Sequence, residues 1–142
     1  MKTINVPTRE QVKPETQPIF DQLQKRLGKV PNLYATIGYS VNALKGFLEF
    51  EESLNHGLFT AKEREAIALA VSEVNGCTYC LAAHTVAAIK RGFTKDETLL
   101  IRSGDAGDDK LSAVIHLARS IAENRGEAND EALENFYAMG YN

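Results

Sequence analysis

Two cysteines and one histidine are the residues whose types and spacing best suit covalent chemistry. Cys77 and Cys80 are the only cysteines among the 142 residues, and His84 follows four positions after the second. On an α-helix, positions i, i+3 and i+7 lie within a sector of roughly 60°. We therefore expect one helix to present all three side chains on the same face.

This arrangement predicts redox chemistry at sulfur. The reactive form of a cysteine is the thiolate, and a thiol with an ordinary pKa of about 8.5 needs a base or a positive field to ionise. Cys77 follows Gly76, so we expect it in the first turn of a helix, where unpaired backbone N–H groups favour an anion. His84 can take a proton from Cys80 directly or through one water. The second thiol can then condense with a sulfenic acid.

A carboxylate on the preceding helix is expected to orient the histidine. Glu65 and Glu73 are the two candidates. Glu65 lies in the apolar stretch EAIALA, where an acid needs a partner or a proton. Glu73 stands near the end of that helix and is typical of a solvated residue. We favour Glu65, and the alternative that it is a plain surface acid stays open.

The cysteine pair has two other interpretations. As half of a zinc site it would need about four ligands, and His84 is the only evident third one. The cysteines could also be small buried residues that only fill space. We favour redox chemistry over both and expect neither a metal nor a cofactor.

The composition limits the class of protein. A hydrophobic fraction of 44% and a charged fraction of 25% exclude a disordered chain. A net charge of −3 gives no electrostatic footprint for nucleic acid or for an anionic membrane. No run approaches the roughly 18 apolar residues that span a bilayer, and the start, MKTINVPTREQVKPE, lacks the apolar segment of a secretory signal. We expect a soluble, cytoplasmic protein.

Helical periodicity predicts an all-α bundle of about seven helices in a single domain, residues 1–142. We expect the stretch PNLYATIGYS to form a turn led by Pro31, and His116 to be a core histidine. The pairs Thr60/Glu63 and Thr94/Glu97 have the spacing of capping boxes. The predicted helices cover about 14–27, 41–55, 61–74, 77–90, 95–102, 109–121 and 130–139.

The stretch TAKEREAIALAVSEVNGCTYCLAAH, residues 60–84, resembles the AhpD-like alkylhydroperoxidases of the carboxymuconolactone decarboxylase superfamily. The shared pattern is Glu, eleven residues, Cys-x-x-Cys, three residues, His. The stretch KVPNLYATIGYSVNALKGFLEF is similar to the N-terminal region of the same family. The resemblance covers most of the chain, from about Val6 onward.

The resemblance implies a role for each residue of the pattern. Cys80 would attack the peroxide, and Cys77, the more exposed thiol, would resolve it as a disulfide. His84 would take the thiol proton, and Glu65 would complete the proton relay. The family also implies a helical homo-oligomer, a trimer or a hexamer. In its best-known members the reductant is a lipoyl-bearing protein, so we expect a dithiol or lipoyl-type protein as partner.

The sequence departs from the family at two places. Some members carry a histidine between the cysteines, where this chain has Tyr79. Members usually continue past a pair such as Gly140-Tyr141 into a further apolar helix, so we expect a complete family domain to have one more helix than this sequence.

These observations together predict a thiol-dependent peroxidase that reduces organic or hydrogen peroxide. The lactone decarboxylases of the superfamily generally lack the cysteine pair, so the motif favours peroxide reduction over decarboxylation. A protein disulfide reductase or carrier that uses the same cysteines is one alternative. A non-catalytic helical assembly module is the other.

Overall fold

A computed structural model describes residues 3–142 of the chain, and it confirms the all-α prediction. This described part contains eight α-helices and a short 3₁₀ helix, Arg9–Gln11, with no residue in a β-strand. None of its helices is long and apolar enough to cross a membrane. The helices are α1 (Gln17–Leu27), α2 (Asn32–Ile37), α3 (Val41–Asn55), α4 (Ala61–Val74), α5 (Thr78–Lys90), α6 (Lys95–Ser103), α7 (Asp109–Glu123) and α8 (Asp130–Ala138).

The chain packs as two compact units. The first ends at Gly57, and the second runs Leu58–Asn142. Helices α1 to α3 belong to the first unit and α4 to α8 to the second. A single domain that includes both units stays a prediction.

The first unit is held by a small apolar core. Val12, Phe20 of α1, Ala35 of α2 and Leu44 of α3 are all buried and pack together. Burial of a Val, Leu or Phe side chain typically contributes about 1.5–3 kcal/mol, so Val12, Phe20 and Leu44 each stabilise this unit. Helix α1 ends at Leu27, as predicted, and Gly28 follows it with a left-handed φ of 76°.

Helix α2 corrects the prediction of a Pro31-led turn. The residues after Pro31 form a helix, in which the Ala35 N–H donates to the Pro31 carbonyl at 2.9 Å. A helix of six residues is too short to give a clear periodicity, which is why the sequence pattern missed it. Gly38, the residue after α2, lies close to α1. A Cβ at this position would be 2.6 Å from the Phe20 ring. Only glycine fits this contact without a shift.

The second unit is arranged around α4, which packs against α5, α6 and α7, while α8 packs on α7. Small residues let these helices approach closely: Ala66 and Ala70 of α4 and Ala88 of α5 are fully buried. Ile101 of α6 and Ile115 of α7 fill the same core. The central helix is therefore fixed on several sides, and so are the side chains that it carries.

Within the described residues, six helices begin with the same kind of side-chain cap. In each, the residue before the helix accepts a hydrogen bond from the backbone N–H three positions later, at 2.8–3.3 Å. Both predicted capping boxes are present. The capping residues are Ser40, Thr60, Cys77, Thr94, Asp108 and Asn129.

Three details of the sequence-based prediction were wrong. Helix α1 begins at Gln17 and not near residue 14, because Pro18 lacks the N–H that an interior helix position needs and is tolerated in the first turn. Helix α5 begins one residue later than predicted, at Thr78, with Cys77 as its cap. His116 of α7 is exposed, because Val114 and Ile115 form the buried side of that helix.

Candidate active site

The two cysteines are joined as a disulfide across the start of α5. Cys77 is the N-cap residue and Cys80 is the third residue of the helix, with an S–S distance of 2.07 Å. Both side chains are half-buried. The Cys80 N–H also donates to the Cys77 Sγ at 3.3 Å. The structure thus brings together the two sulfurs that the sequence pairs.

A tight turn between α4 and α5 sets the position of the cysteines. Gly76 has a left-handed φ of 60°, a conformation that costs glycine little. The Cys77 N–H donates to the Ser72 carbonyl at 3.0 Å, which closes the turn on the last residues of α4. Because the turn is short and hydrogen-bonded, α4 fixes where α5 begins.

The histidine and the favoured carboxylate are in contact. Nδ1 of His84 lies 2.8 Å from Oε2 of Glu65. The Glu65 side chain is 19% exposed and that of His84 is 39% exposed, so solvent screens the pair only in part. A carboxylate only accepts hydrogen bonds, so in the neutral ring Nδ1 carries the hydrogen and Nε2 keeps a lone pair. The arrangement leaves a basic nitrogen on the side of the ring away from Glu65.

The two pairs are linked by the geometry of one helix. His84 follows Cys80 by one helical turn on α5, so the two side chains lie along the same face. Within residues 3–142, the hydrogen bonds of His84 include none to a cysteine sulfur. The structure therefore shows an imidazole–carboxylate pair one helical turn along α5 from a disulfide.

Glu73, the second carboxylate that the sequence offered, has a different partner. Its Oε2 accepts from Nε of Arg102 on α6 at 2.6 Å. Glu73 is thus ion-paired as well as partly solvated, with 38% of its side chain exposed. The sequence gives no sign that Arg102 is this partner, because a pair 29 positions apart leaves no local pattern. Of the two carboxylates, Glu65 is the one that contacts His84.

Tyr79, between the cysteines, is 50% exposed. Among residues 3–142, no group of three or more His, Cys, Asp or Glu side chains is arranged to hold a metal ion. The donor atoms near the motif are instead used in the disulfide and in the Glu65–His84 hydrogen bond.

Comparisons with known proteins identify one matching family and several solved structures with a similar fold. Residues 42–124 match the sequence profile of the "Carboxymuconolactone decarboxylase family". No curated protein matches the chain. A solved structure of an uncharacterized peroxidase-related protein from Silicibacter sp. TM1040 is 25% identical with a TM-score of 0.83, and the match covers 98% of this chain and 75% of that one.

Two further solved structures share the fold. One is described as an alkylhydroperoxidase AhpD core, an uncharacterized peroxidase-related protein from Ralstonia eutropha JMP134, at 22% identity and a TM-score of 0.82 over 98% of this chain and 76% of that one. The other is a variant of the debrominase Bmp8 in complex with 2,3,4-tribromopyrrole, at 17% identity and a TM-score of 0.78 over the same shares of the two chains.

Proposed function

The chain belongs to the carboxymuconolactone decarboxylase family as an AhpD-like member, and we propose that it is a thiol-dependent peroxidase. The likeness to a peroxidase-related protein supports a peroxidase-like enzyme. The proposal that thiols reduce the peroxide rests on the hydrogen bond between Glu65 and His84, because His84 lies one helical turn after Cys80. A carboxylate-bound imidazole is the arrangement that activates a nucleophile.

The first half of the proposed cycle oxidises Cys80. In the dithiol form, Nε2 of His84 takes the thiol proton, and Glu65 stabilises the imidazolium that results. The thiolate attacks the peroxide, so that an S–O bond forms and the O–O bond breaks. The leaving alkoxide or hydroxide takes the proton back from the imidazolium. Cys80 ends as a sulfenic acid, and one alcohol or water is released.

The second half forms the disulfide that the structure contains. Cys77 attacks the sulfur of the Cys80 sulfenic acid, the S–S bond forms, the S–O bond breaks, and water is released. We expect this step to need no change of fold, because the two cysteines lie three positions apart at the start of α5, where the structure shows them bonded. An external dithiol then returns both cysteines to thiols by exchange.

Replacement of the attacking thiol tests the proposal. Cys80→Ser should abolish peroxide consumption in an assay driven by a dithiol. The matched variant Cys77→Ser should still form one sulfenic acid per chain, which dimedone traps and mass spectrometry locates at residue 80. Undiminished turnover by Cys80→Ser would remove the proposal.

The alternatives give different results in the same assays. A disulfide reductase or carrier should turn over a protein disulfide faster than any peroxide. A non-catalytic module should turn over neither. A lactone substrate tests decarboxylation, which we expect to be absent from the wild type.

The electron donor and the assembly are part of the proposal. We expect a dithiol of the lipoyl type to support faster turnover than a monothiol such as glutathione, because a dithiol completes the exchange within one molecule. We also expect a trimer or a hexamer in light scattering. Exposed apolar side chains on α5, among them Val86 at 56% and Ile89 at 46%, support an interface there.

A further inference from the structure

The cap of α5 differs from the other side-chain caps in the kind of atom that accepts. Among the six helices capped in this way within residues 3–142, five use an oxygen and α5 uses the sulfur of Cys77. The bond is otherwise the same: the N–H of the third helical residue points at the capping side chain, at 3.3 Å in α5 and at 2.8 Å from Asp108 in α7. Cys77 thus occupies a position built for an acceptor.

The strength of this cap depends on the oxidation state of the sulfur. A disulfide sulfur is a weak, neutral acceptor, whereas a thiolate is an anion that accepts strongly. The first turn of a 13-residue helix such as α5 presents unpaired N–H groups and the positive end of the helix dipole. Asp108 shows that the same geometry holds a carboxylate in this fold.

We propose that, in the dithiol form, Cys77 is held as a thiolate by the first turn of α5 and is therefore activated without His84. The inference rests on the proposed dithiol cycle. It assigns the ionisation of the two thiols of that cycle to different groups. Backbone N–H groups ionise Cys77, and the Glu65–His84 pair ionises Cys80. The resolving thiol needs no general base of its own.

Nearby charges do not replace the helix terminus as the cause. Glu73, four residues before Cys77 at the end of α4, is paired with Arg102 of α6. Glu65 of α4 is paired with His84 of α5 itself. Since each of these carboxylates has its own partner, its repulsion of an anion at Cys77 is reduced. The local N–H groups are the favourable contact that the structure shows at this sulfur.

The proposal changes the proton accounting of the resolution step. The Cys77 thiolate attacks the sulfur of the Cys80 sulfenic acid, the S–S bond forms, and the S–O bond breaks. Hydroxide leaves and takes its proton from solvent, because Cys77 has none to give. The step should then keep its rate when the imidazole is removed, in contrast to the oxidation of Cys80.

Single-thiol variants test the ionisation directly. Cys80→Ser leaves Cys77 as the sole thiol and keeps the backbone N–H that binds it. Its alkylation by iodoacetamide, followed between about pH 5 and pH 10, should show a midpoint at least about one unit below 8.5, the value for a free thiol. Adding His84→Gln should leave this midpoint in place. In Cys77→Ser, which retains an oxygen cap, His84→Gln should instead move the midpoint of Cys80.

A midpoint of Cys77 at or above 8.5, or one that moves with His84→Gln, would overturn the proposal. Thermal unfolding gives a second readout, as the difference in Tm between the reduced protein and Cys77→Ser. A thiol pKa lowered by folding adds stability above the unfolded value of about 8.5 and loses it as pH falls through the folded value. The difference should therefore grow from about pH 6 to pH 9, and a flat difference would contradict the proposal.

Neither measurement uses peroxide. Loss of the peroxidase proposal, through undiminished turnover by Cys80→Ser, would leave the result for Cys77 intact. The reverse also holds, because a Cys77 with an ordinary midpoint would not affect the oxidation of Cys80.

Discussion

Two neighbouring regions of α4 use the same residue type for different purposes. In the first turn, Glu63 accepts from the Thr60 N–H at 2.6 Å and from the Tyr141 hydroxyl at 2.5 Å. Half a turn further on, Glu65 contacts the imidazole of His84 at 2.8 Å. Both carboxylates are half-buried, so burial alone does not separate them.

Glu63 and Glu65 differ in their hydrogen-bond partners. Burial alone would raise the pKa of the Glu63 carboxyl, but hydrogen bonds from Thr60 and Tyr141 outweigh it and lower that pKa. Neither donor exchanges a proton near neutral pH, so Glu63 stays ionised and holds structure. An imidazole, unlike these two donors, is a side chain that can accept and pass on a proton in catalysis. A carboxylate bound to fixed donors builds the fold, and one bound to an imidazole can take part in proton transfer.

Exchange of each carboxylate for an amide gives the largest contrast. Glu65→Gln should lower kcat/KM for peroxide by about 10²-fold, because an amide still accepts from Nδ1 but does not stabilise the imidazolium. Glu63→Gln should stay within about threefold of the wild type, since its partners lie away from the thiols. Steady-state kinetics with a dithiol donor measure both. Equal losses in the two variants would show that the comparison is wrong.

The hydroxyl of Tyr141 gives a smaller effect, on stability. Tyr141→Phe keeps the stacking on Phe136, at 4.8 Å between centroids, and loses the bond to Glu63. We expect a loss of about 1 kcal/mol in the free energy of unfolding at pH 7, measured with urea. Tyr137→Phe is the matched control, because that ring also packs on Phe136 and is exposed. An equal loss in the control would assign the effect to the ring.

The same variant should show a defined pH dependence. Because folding lowers the pKa of Glu63, its contribution is present above the unfolded value of about 4.3 and is lost as pH falls through the folded value. Burial, and then the bond to Glu63, raise the pKa of Tyr141, so its contribution is lost as pH rises past about 10. The difference between wild type and Tyr141→Phe should shrink at both ends of the pH range. A constant difference would mean that the bond is not the cause.

The smallest effect is expected at the far end of α4. Glu73 and Arg102 are 38% and 33% exposed, and solvent screens such a pair. Glu73→Gln should lower stability by less than about 1 kcal/mol, by an amount that falls with added salt, and should leave peroxide turnover unchanged. A large loss of turnover would bring Glu73 into the site and weaken the choice of Glu65.

Local rules predicted much of the fold. The capping boxes at Thr60 and Thr94 mark the starts of α4 and α6, and Gly28 marks the end of α1. These signals depend on residues within one turn of each other, which a sequence shows directly. Helix α2 was missed because six residues give too little periodicity. Pro18 was the overlooked signal for the start of α1.

The candidate site was predictable to the extent that it is local. Spacing alone placed Cys80 and His84 on one helix, with Cys77 at its start. The apolar surroundings of Glu65 pointed to a partner. The same reasoning failed for His116, which also lies in an apolar helix but faces outward. An apolar run shows that a helix has a buried face. It does not show whether a given polar residue of that helix lies on the buried face or on the exposed one.

Because the turn at Gly76 is short, the geometry of the candidate site depends on the number of residues between Glu65 and Cys77. Eleven residues separate Glu65 from Cys77, and most of them lie in α4. One residue inserted in α4 after Glu65 would rotate the carboxylate by about 100° and shift it by about 1.5 Å along the axis. A homologue that keeps all four residue types but has twelve residues in this gap should therefore have its acid out of phase with the imidazole.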